Sequence, residues 1–209
     1  MRRRLLGNMS AMTTESALDA TGQDLLFRDA RTANTFTDEP VSEETAHAIY
    51  DLIKWGPTAM NNQPLRIVYV RSPEARARLV EHMSPGNKAK TATAPLVAIL
   101  AADVDFHEHL PRTFPHFPGA KDAFADRDGR VESARFNGAL QVGYFIVGVR
   151  AHGLAAGPMA GFDKAALEKE FFPEGRHEVL AVVNIGRPGP DAWYARNPRL
   201  DLHEAVTTI

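Results

Sequence analysis

The sequence predicts a single domain of mixed helices and strands, and three observations carry that expectation. A long apolar helical pattern runs from Glu132 to His152. Three short apolar runs, at about 66–70, 96–102 and 179–186, read as strands, the second continuous enough to be buried on both faces. Between them lie segments that open with helix-start signals. A chain of 209 residues, 44% hydrophobic and 24% charged, is long enough for one substantial core.

Taken in order, residues 1–20 are small and polar without periodicity, so they are expected to be poorly ordered ahead of a domain spanning 21–209. The basic start has only Leu5 and Leu6 as its apolar part, too little for a signal-peptide core, and Met9 and Met12 are alternative starts. A short helix is expected near residues 23–29. Ser42 reads as an N-cap with Glu43 and Glu44 in the first turn and Ala46, Ile49 and Ile53 at helical spacing. That helix should stop before Gly56-Pro57, where WGPTAMNNQP forms an amide-rich loop leading into the first strand. Ser72-Pro73 opens another helix in the favoured cap arrangement, with Ala75, Leu79 and Met83 on one face. A short turn or helix then precedes the second strand.

Residues 103–131 carry three prolines, four phenylalanines and three of the eight histidines. A loop this long in a compact domain is functional or disordered, and its aromatics argue for a lid over a pocket. From Phe136 to Ala151 almost no polar face remains, which predicts a helix buried nearly all round. Arg135, Asn137, Gln141 and Arg150 make it too costly as a membrane span. Gly138, Gly143 and Gly148 would let a partner helix come close, in this chain or in a second subunit. Gly153 is placed to end the helix, Gly157, Pro158 and Gly161 to form a tight loop, and Asp163 to cap a last helix.

A formal charge of -2 leaves no basic excess for a nucleic-acid backbone, and no cysteine is present to form disulfides, thiolate metal sites or a nucleophile. This composition fits the cytoplasm. No Gly-rich dinucleotide or phosphate loop, zinc-protease helix or nucleophile elbow occurs. Asp103, Asp105, His107, Glu108, His109 and His116 form a metal-like cluster, in which an extended chain would put His107 and His109 on one side. A metal-dependent hydrolase is therefore a remote alternative, and a non-catalytic binding protein another.

Five segments in order, DARTANTF, WGPTAMNNQP, the GNxxK of Gly86 to Lys90, GLAAGPMAGFD and the terminal YARNPR, resemble the flavin-binding segments of the nitroreductase family, across nearly the whole chain from about Leu25. Within it they are most similar to the malonic semialdehyde reductases. The resemblance implies an α/β (α+β) three-layer fold, a central mostly antiparallel sheet flanked by helices. It also implies a homodimer with FMN shared at the interface and NADPH or NADH as transient donor. Reaction would be ping-pong, the donor leaving before a small oxidised acceptor takes the same flavin face. That acceptor would be malonic semialdehyde, giving 3-hydroxypropionate, or in a general reductase a nitroaromatic or quinone.

Residue by residue, the resemblance places Arg31, Thr32 and Asn34 at the phosphate and flavin edge and Arg196 closing on the phosphate. Pro57, Thr58 and Asn61 would be lent to the other subunit's flavin. Asn87 and Lys90 would lie at the ring's polar edge, where a positive charge favours the anionic reduced ring. Met159, Ala160 and Gly161 would face the ring, with the backbone of Ala160 and Gly161 at N5, the reactive centre. Two positions depart from the common pattern: Asn34 stands where many members have arginine, and Ala160 where many have glutamate. His109, Arg112 and His116 in the expected lid are candidates to hold an acidic substrate.

Overall fold

The run Leu96–Asp103 has no polar side chain until its last residue, and it can be satisfied only by neighbours on both faces and both edges. In the computed structural model, which describes residues 16–209, it is the inner strand β2, buried along all eight residues. The four-stranded sheet has the order β1-β2-β4-β3, with β1 at Leu65–Val70, β3 at Ala155–Met159 and β4 at His177–Gly186, and every neighbouring pair is antiparallel. The edges are β1 and β3.

Eight α-helices surround the sheet among the described residues: α1 Ala20–Gln23, α2 Glu43–Ile53, α3 Pro73–His82, α4 Pro85–Thr93, α5 Leu110–Thr113, α6 Arg127–Ala151, α7 Lys164–Phe171 and α8 Leu202–Ala205. On one face Ile49 and Ile53 of α2 and Phe145 and Val149 of α6 pack on Leu96, Ala98, Leu100, Val183 and Ile185. On the other, Leu79 of α3 and Leu167 of α7 pack on Val97, Ile99 and Val182. Alternate strand residues thus feed two helix layers, and the expected three-layer architecture is present. The caps fall where the sequence placed them. Ser42 accepts from Thr45 N, Ser72 from Ala75 N and Asp163 from Ala166 N, and Gly153 leaves α6 at φ 72°.

Three expectations need correction. The tight loop after Gly153 is instead the edge strand β3. Its Gly157 is needed because a Cβ there would meet the Ala33 carbonyl at 2.8 Å. The 103–131 stretch is no open lid, since its apolar residues make a core of their own: Phe106 and Leu110 are fully buried, and Phe124 packs edge-on against Phe106 at 4.9 Å. Helix α6 is not buried all round, because Phe136, Leu140 and Tyr144 form an exposed stripe, 65%, 43% and 40% accessible. Its glycines do not share one partner helix. A Cβ at Gly138 would strike Leu180 and Ala102 of the sheet, one at Gly148 would strike Ile53 of α2, and one at Gly143 would meet nothing.

The expected poor order over 1–20 lies mostly outside the described residues, with both alternative starts; Asp19, within them, caps α1 by accepting from Gly22 N. No helix among the described residues is long and apolar enough to cross a membrane.

Candidate functional site

Residues 30–36, between α1 and α2, lie along the outer edge of β3. Ala33 N donates to Ala156 O, Asn34 N to Ala192 O, and Phe36 bridges to Pro188. The chain's end folds over the same segment. Arg31 Nη1 donates to Tyr194 O at 3.2 Å while Arg196 Nη2 donates back to Ala30 O at 3.2 Å, and Arg31 lies 6.0 Å over the Trp193 ring. A cleft of about 230 Å³ opens there, lined by Arg31, Thr32, Asn34 and Arg196. Among the described residues neither guanidinium has a carboxylate partner, so most of their N–H groups point at open space.

At its other end β3 runs into Met159, Ala160 and Gly161. The turn is held from below: Gly161 O accepts from Ser84 N and from Asn87 Nδ2, both at 3.0 Å, and a Cβ on Gly161 would crowd Asn87. The N–H groups of Ala160 and Gly161 find no acceptor among the described residues. Lys90 follows Asn87 by three residues on α4 and makes no ion pair among the described residues. One strand edge therefore carries, among the described residues, cations without carboxylate partners at one end and two backbone donors without acceptors at the other.

The model of the nitroreductase family matches residues 28–187. The chain belongs to that family. A protein of Streptomyces coelicolor named "Putative NADH dehydrogenase/NAD(P)H nitroreductase" is 65% identical, over 92% of this chain and 98% of its own. One of the same name from Leptothrix cholodnii is 47% identical, over 92% and 98%. Among solved structures, a putative nitroreductase in complex with FMN from Exiguobacterium sibiricum superposes with a TM-score of 0.81 at 20% identity, over 94% of this chain and 100% of its own, a likeness of fold.

Set against this family's segments, the expected residues fall into two groups. Arg31, Thr32, Asn34 and Arg196 share one cleft, and Asn87 meets Gly161 at the end of β3, next to Met159 and Ala160, with Lys90 one turn further along α4. Pro57, Thr58 and Asn61 do not join them. Their loop enters β1, the opposite edge of the sheet, three strand spacings or about 14 Å away. It is tightly held: Ala59 N donates to Asn137 Oδ1, Leu65 N to Gln141 Oε1, Gln63 N to Thr58 Oγ1 and Asn61 Nδ2 to Thr113 O. Met60, Asn61 and Gln63 all have positive φ, a strain that such anchoring must hold in place. Asn137 and Gln141 count in sequence only as polar interruptions of an apolar helix, yet they fix this loop.

That loop borders a second cleft, of about 730 Å³, into which His109 and Arg112 reach beside Tyr50, Gln63 and Gln141. Asn62 lines it too; it is 1% accessible and its Oδ1 has no partner. These amides are a site feature that only the NNQ run hinted at. Burial, and then the charge of Arg66, lower the His109 pKa below its ordinary value, so its ring is neutral at neutral pH. His116 does not line the cleft; it is exposed, its ring tilted against that of Phe114 with 4.0 Å between centroids. The metal alternative fails on geometry as well. His107 and His109 sit in a tight 3₁₀ turn rather than an extended chain, Asp103 is taken up by Arg66 and Arg176, and no group of three ligands occurs among the described residues.

Proposed function

We propose that the protein is an FMN-dependent oxidoreductase that passes reducing equivalents from NADH or NADPH to a small oxidised acceptor, working as a homodimer. The observation that carries this is the donor set along the β3 edge. The guanidinium groups of Arg31 and Arg196, without carboxylate partners among the described residues, suit a phosphate, and the N–H pair of Ala160 and Gly161, without acceptors among those residues, suits the polar edge of a flavin ring. The Streptomyces relative's name and the FMN in the Exiguobacterium structure support the reading. When bound, FMN supplies two-electron chemistry at ring N5, with the nicotinamide and the acceptor taking turns at one face.

The chain's own residues position and polarise. Arg31, Thr32 and Arg196 would hold the phosphate, the N–H groups of Ala160 and Gly161 would serve N5, and Lys90 would offset negative charge on the ring edge. Backbone donors serve whatever side chain stands at 160, so alanine there is no obstacle. Since Pro57, Thr58 and Asn61 lie at the far edge of the sheet, they reach a flavin only from a second copy, and the exposed stripe of α6 supplies a surface on which that copy docks. Purified protein should be yellow and release FMN into the supernatant on heat denaturation, measured by chromatography. A colourless protein that takes up no added FMN would overturn the proposal.

The acceptor is proposed at two levels. A nitroaromatic or quinone fits the relatives' names; malonic semialdehyde, reduced to 3-hydroxypropionate, is favoured by Arg112, whose guanidinium has no partner among the described residues and reaches the cleft beside the loop that Asn61 ties to Thr113. Arg112→Ala is then expected to raise the KM for malonic semialdehyde about tenfold, the worth of one charge-assisted hydrogen bond. The KM for a neutral quinone and flavin reduction by nicotinamide should barely move. Equal losses on both acceptors would give Arg112 a structural role. Brisk quinone turnover with no semialdehyde turnover in the parent would retire the semialdehyde and leave the flavoprotein reading standing.

A further inference from the structure

We infer that Arg150, in the last turn of α6, is a third arm of the phosphate clamp, acting with Arg31 and Arg196. The inference rests on the FMN reading above. Arg150 and Arg31 line one cleft of about 470 Å³, closed by residues 21–30, the start of β3 and Trp193. Arg31 also lines the adjoining 230 Å³ cleft with Arg196, so its side chain is the wall the two clefts share. Three guanidinium groups thus converge on one end of the β3 edge.

Each of the three spends one N–H on a backbone carbonyl, Arg150 Nη1 on Leu26 O at 3.3 Å, and none has a carboxylate within salt-bridge distance among the described residues. Of the acids on the cleft wall, Asp24 is paired with Arg28 and Asp29 makes no ion pair among the described residues. Burial, and then the charge of Arg196, lower the Arg150 pKa below the ordinary guanidinium value. Placing the partly buried Arg150 beside other guanidinium groups, themselves exposed, is unfavourable without an anion, and a dianionic phosphate relieves it.

A basic residue in the last turn has an ordinary explanation, since it suits the carbonyl end of a helix. Here that end is served by others. His152 N donates to Gly148 O and Val149 O, Gly153 N to Arg150 O, and the His152 ring lies 2.9 Å from Gly148 O. The Arg150 guanidinium instead leaves its helix and crosses to Leu26 O beside the cleft.

The test compares flavins with and without a phosphate. Flavin-stripped protein is titrated with FMN and with riboflavin, following flavin fluorescence, for the parent, Arg150→Gln and Arg150→Lys. Arg150→Gln should weaken FMN about tenfold or more while riboflavin changes less than about twofold, and Arg150→Lys, keeping the charge, should recover part of the FMN affinity. Equal weakening of both flavins would make Arg150 a structural prop for the 24–28 turn, and no change in either would remove it from the clamp; both overturn the inference. If Arg150→Gln does not fold, Arg150→Lys is read alone, and a loss confined to FMN supports the clamp while no loss, or an equal one, overturns it. A parent that binds neither flavin would be the failure of the FMN reading itself.

Discussion

Leu140→Asp is expected to convert the protein into a monomer of 23.0 kDa and to strip it of flavin and activity. Phe136, Leu140 and Tyr144 follow one another at helical spacing along the outer face of α6, and Gly143 among them leaves open space where a side chain would stand. Trp55 and Leu52 are also exposed, and Gly56 packs on the Tyr144 ring, so the stripe is continuous with the loop carrying Pro57, Thr58 and Asn61. A contiguous apolar surface of this kind marks an interface, and one copy docked on it would carry that loop to its partner. A carboxylate forced into such a contact costs upwards of about 3 kcal/mol, or a hundredfold and more in dissociation constant. Light scattering at micromolar concentration reads the mass, and circular dichroism checks that the monomer is folded. A variant that stays dimeric would take the stripe out of the interface. A folded monomer with full flavin and turnover would show that no second copy is needed at the site.

The same helix shows what the sequence could and could not disclose. Capped helices were legible because their signals are local: Ser42, Ser72 and Asp163 each bond to an N–H three residues on. Strand β2 was legible because the continuous apolar run at 96–102 is that of a strand covered on both faces. Strand β3 was hidden, since AAGPM has the composition of a turn, and the reason for Gly157 is a carbonyl more than 120 residues earlier in the chain. The cofactor residues were recognisable only as ordered segments of a family pattern. That Arg31 and Arg196 share a cleft while Asn61 sits across the sheet is a matter of strand order. The 103–131 stretch misled because one-turn 3₁₀ helices have no periodicity, so Phe106 and Phe124 looked free to cover a ligand when they fill a small core.

The buried ion cluster around Asp103 lay furthest from view, because its members are separated by 37 and 73 residues. Its carboxylate is fully buried at the end of β2, where it accepts from Arg66 Nη2 at 2.8 Å, from Arg176 Nε at 3.0 Å and from Asp105 N at 2.9 Å. Burial alone would push its pKa up. The Arg176 hydrogen bond, the Asp105 N–H and the charges of Arg66 and Arg176 outweigh that and hold it below the ordinary value of 3.8. Asp103→Asn leaves two arginines facing a neutral amide, and breaking a buried pair by removing one partner costs about 3–5 kcal/mol. For a chain of this size the melting temperature should then fall by roughly 6–20 °C. The pH dependence fixes the cause. A depressed folded pKa gives stability that is full above the ordinary carboxylate range and is lost as pH falls through the folded value, so the gap between parent and variant should narrow as pH falls below that range. The effect should also reach the site, because Arg66 holds Gln63 O and Leu65 O as well as Asp103, and without its counter-charge the strained 60–63 turn loses a support. Calorimetry across pH decides it: a variant melting within about a degree of the parent near neutral pH would reduce the cluster to a surface-strength interaction, worth less than about 1 kcal/mol.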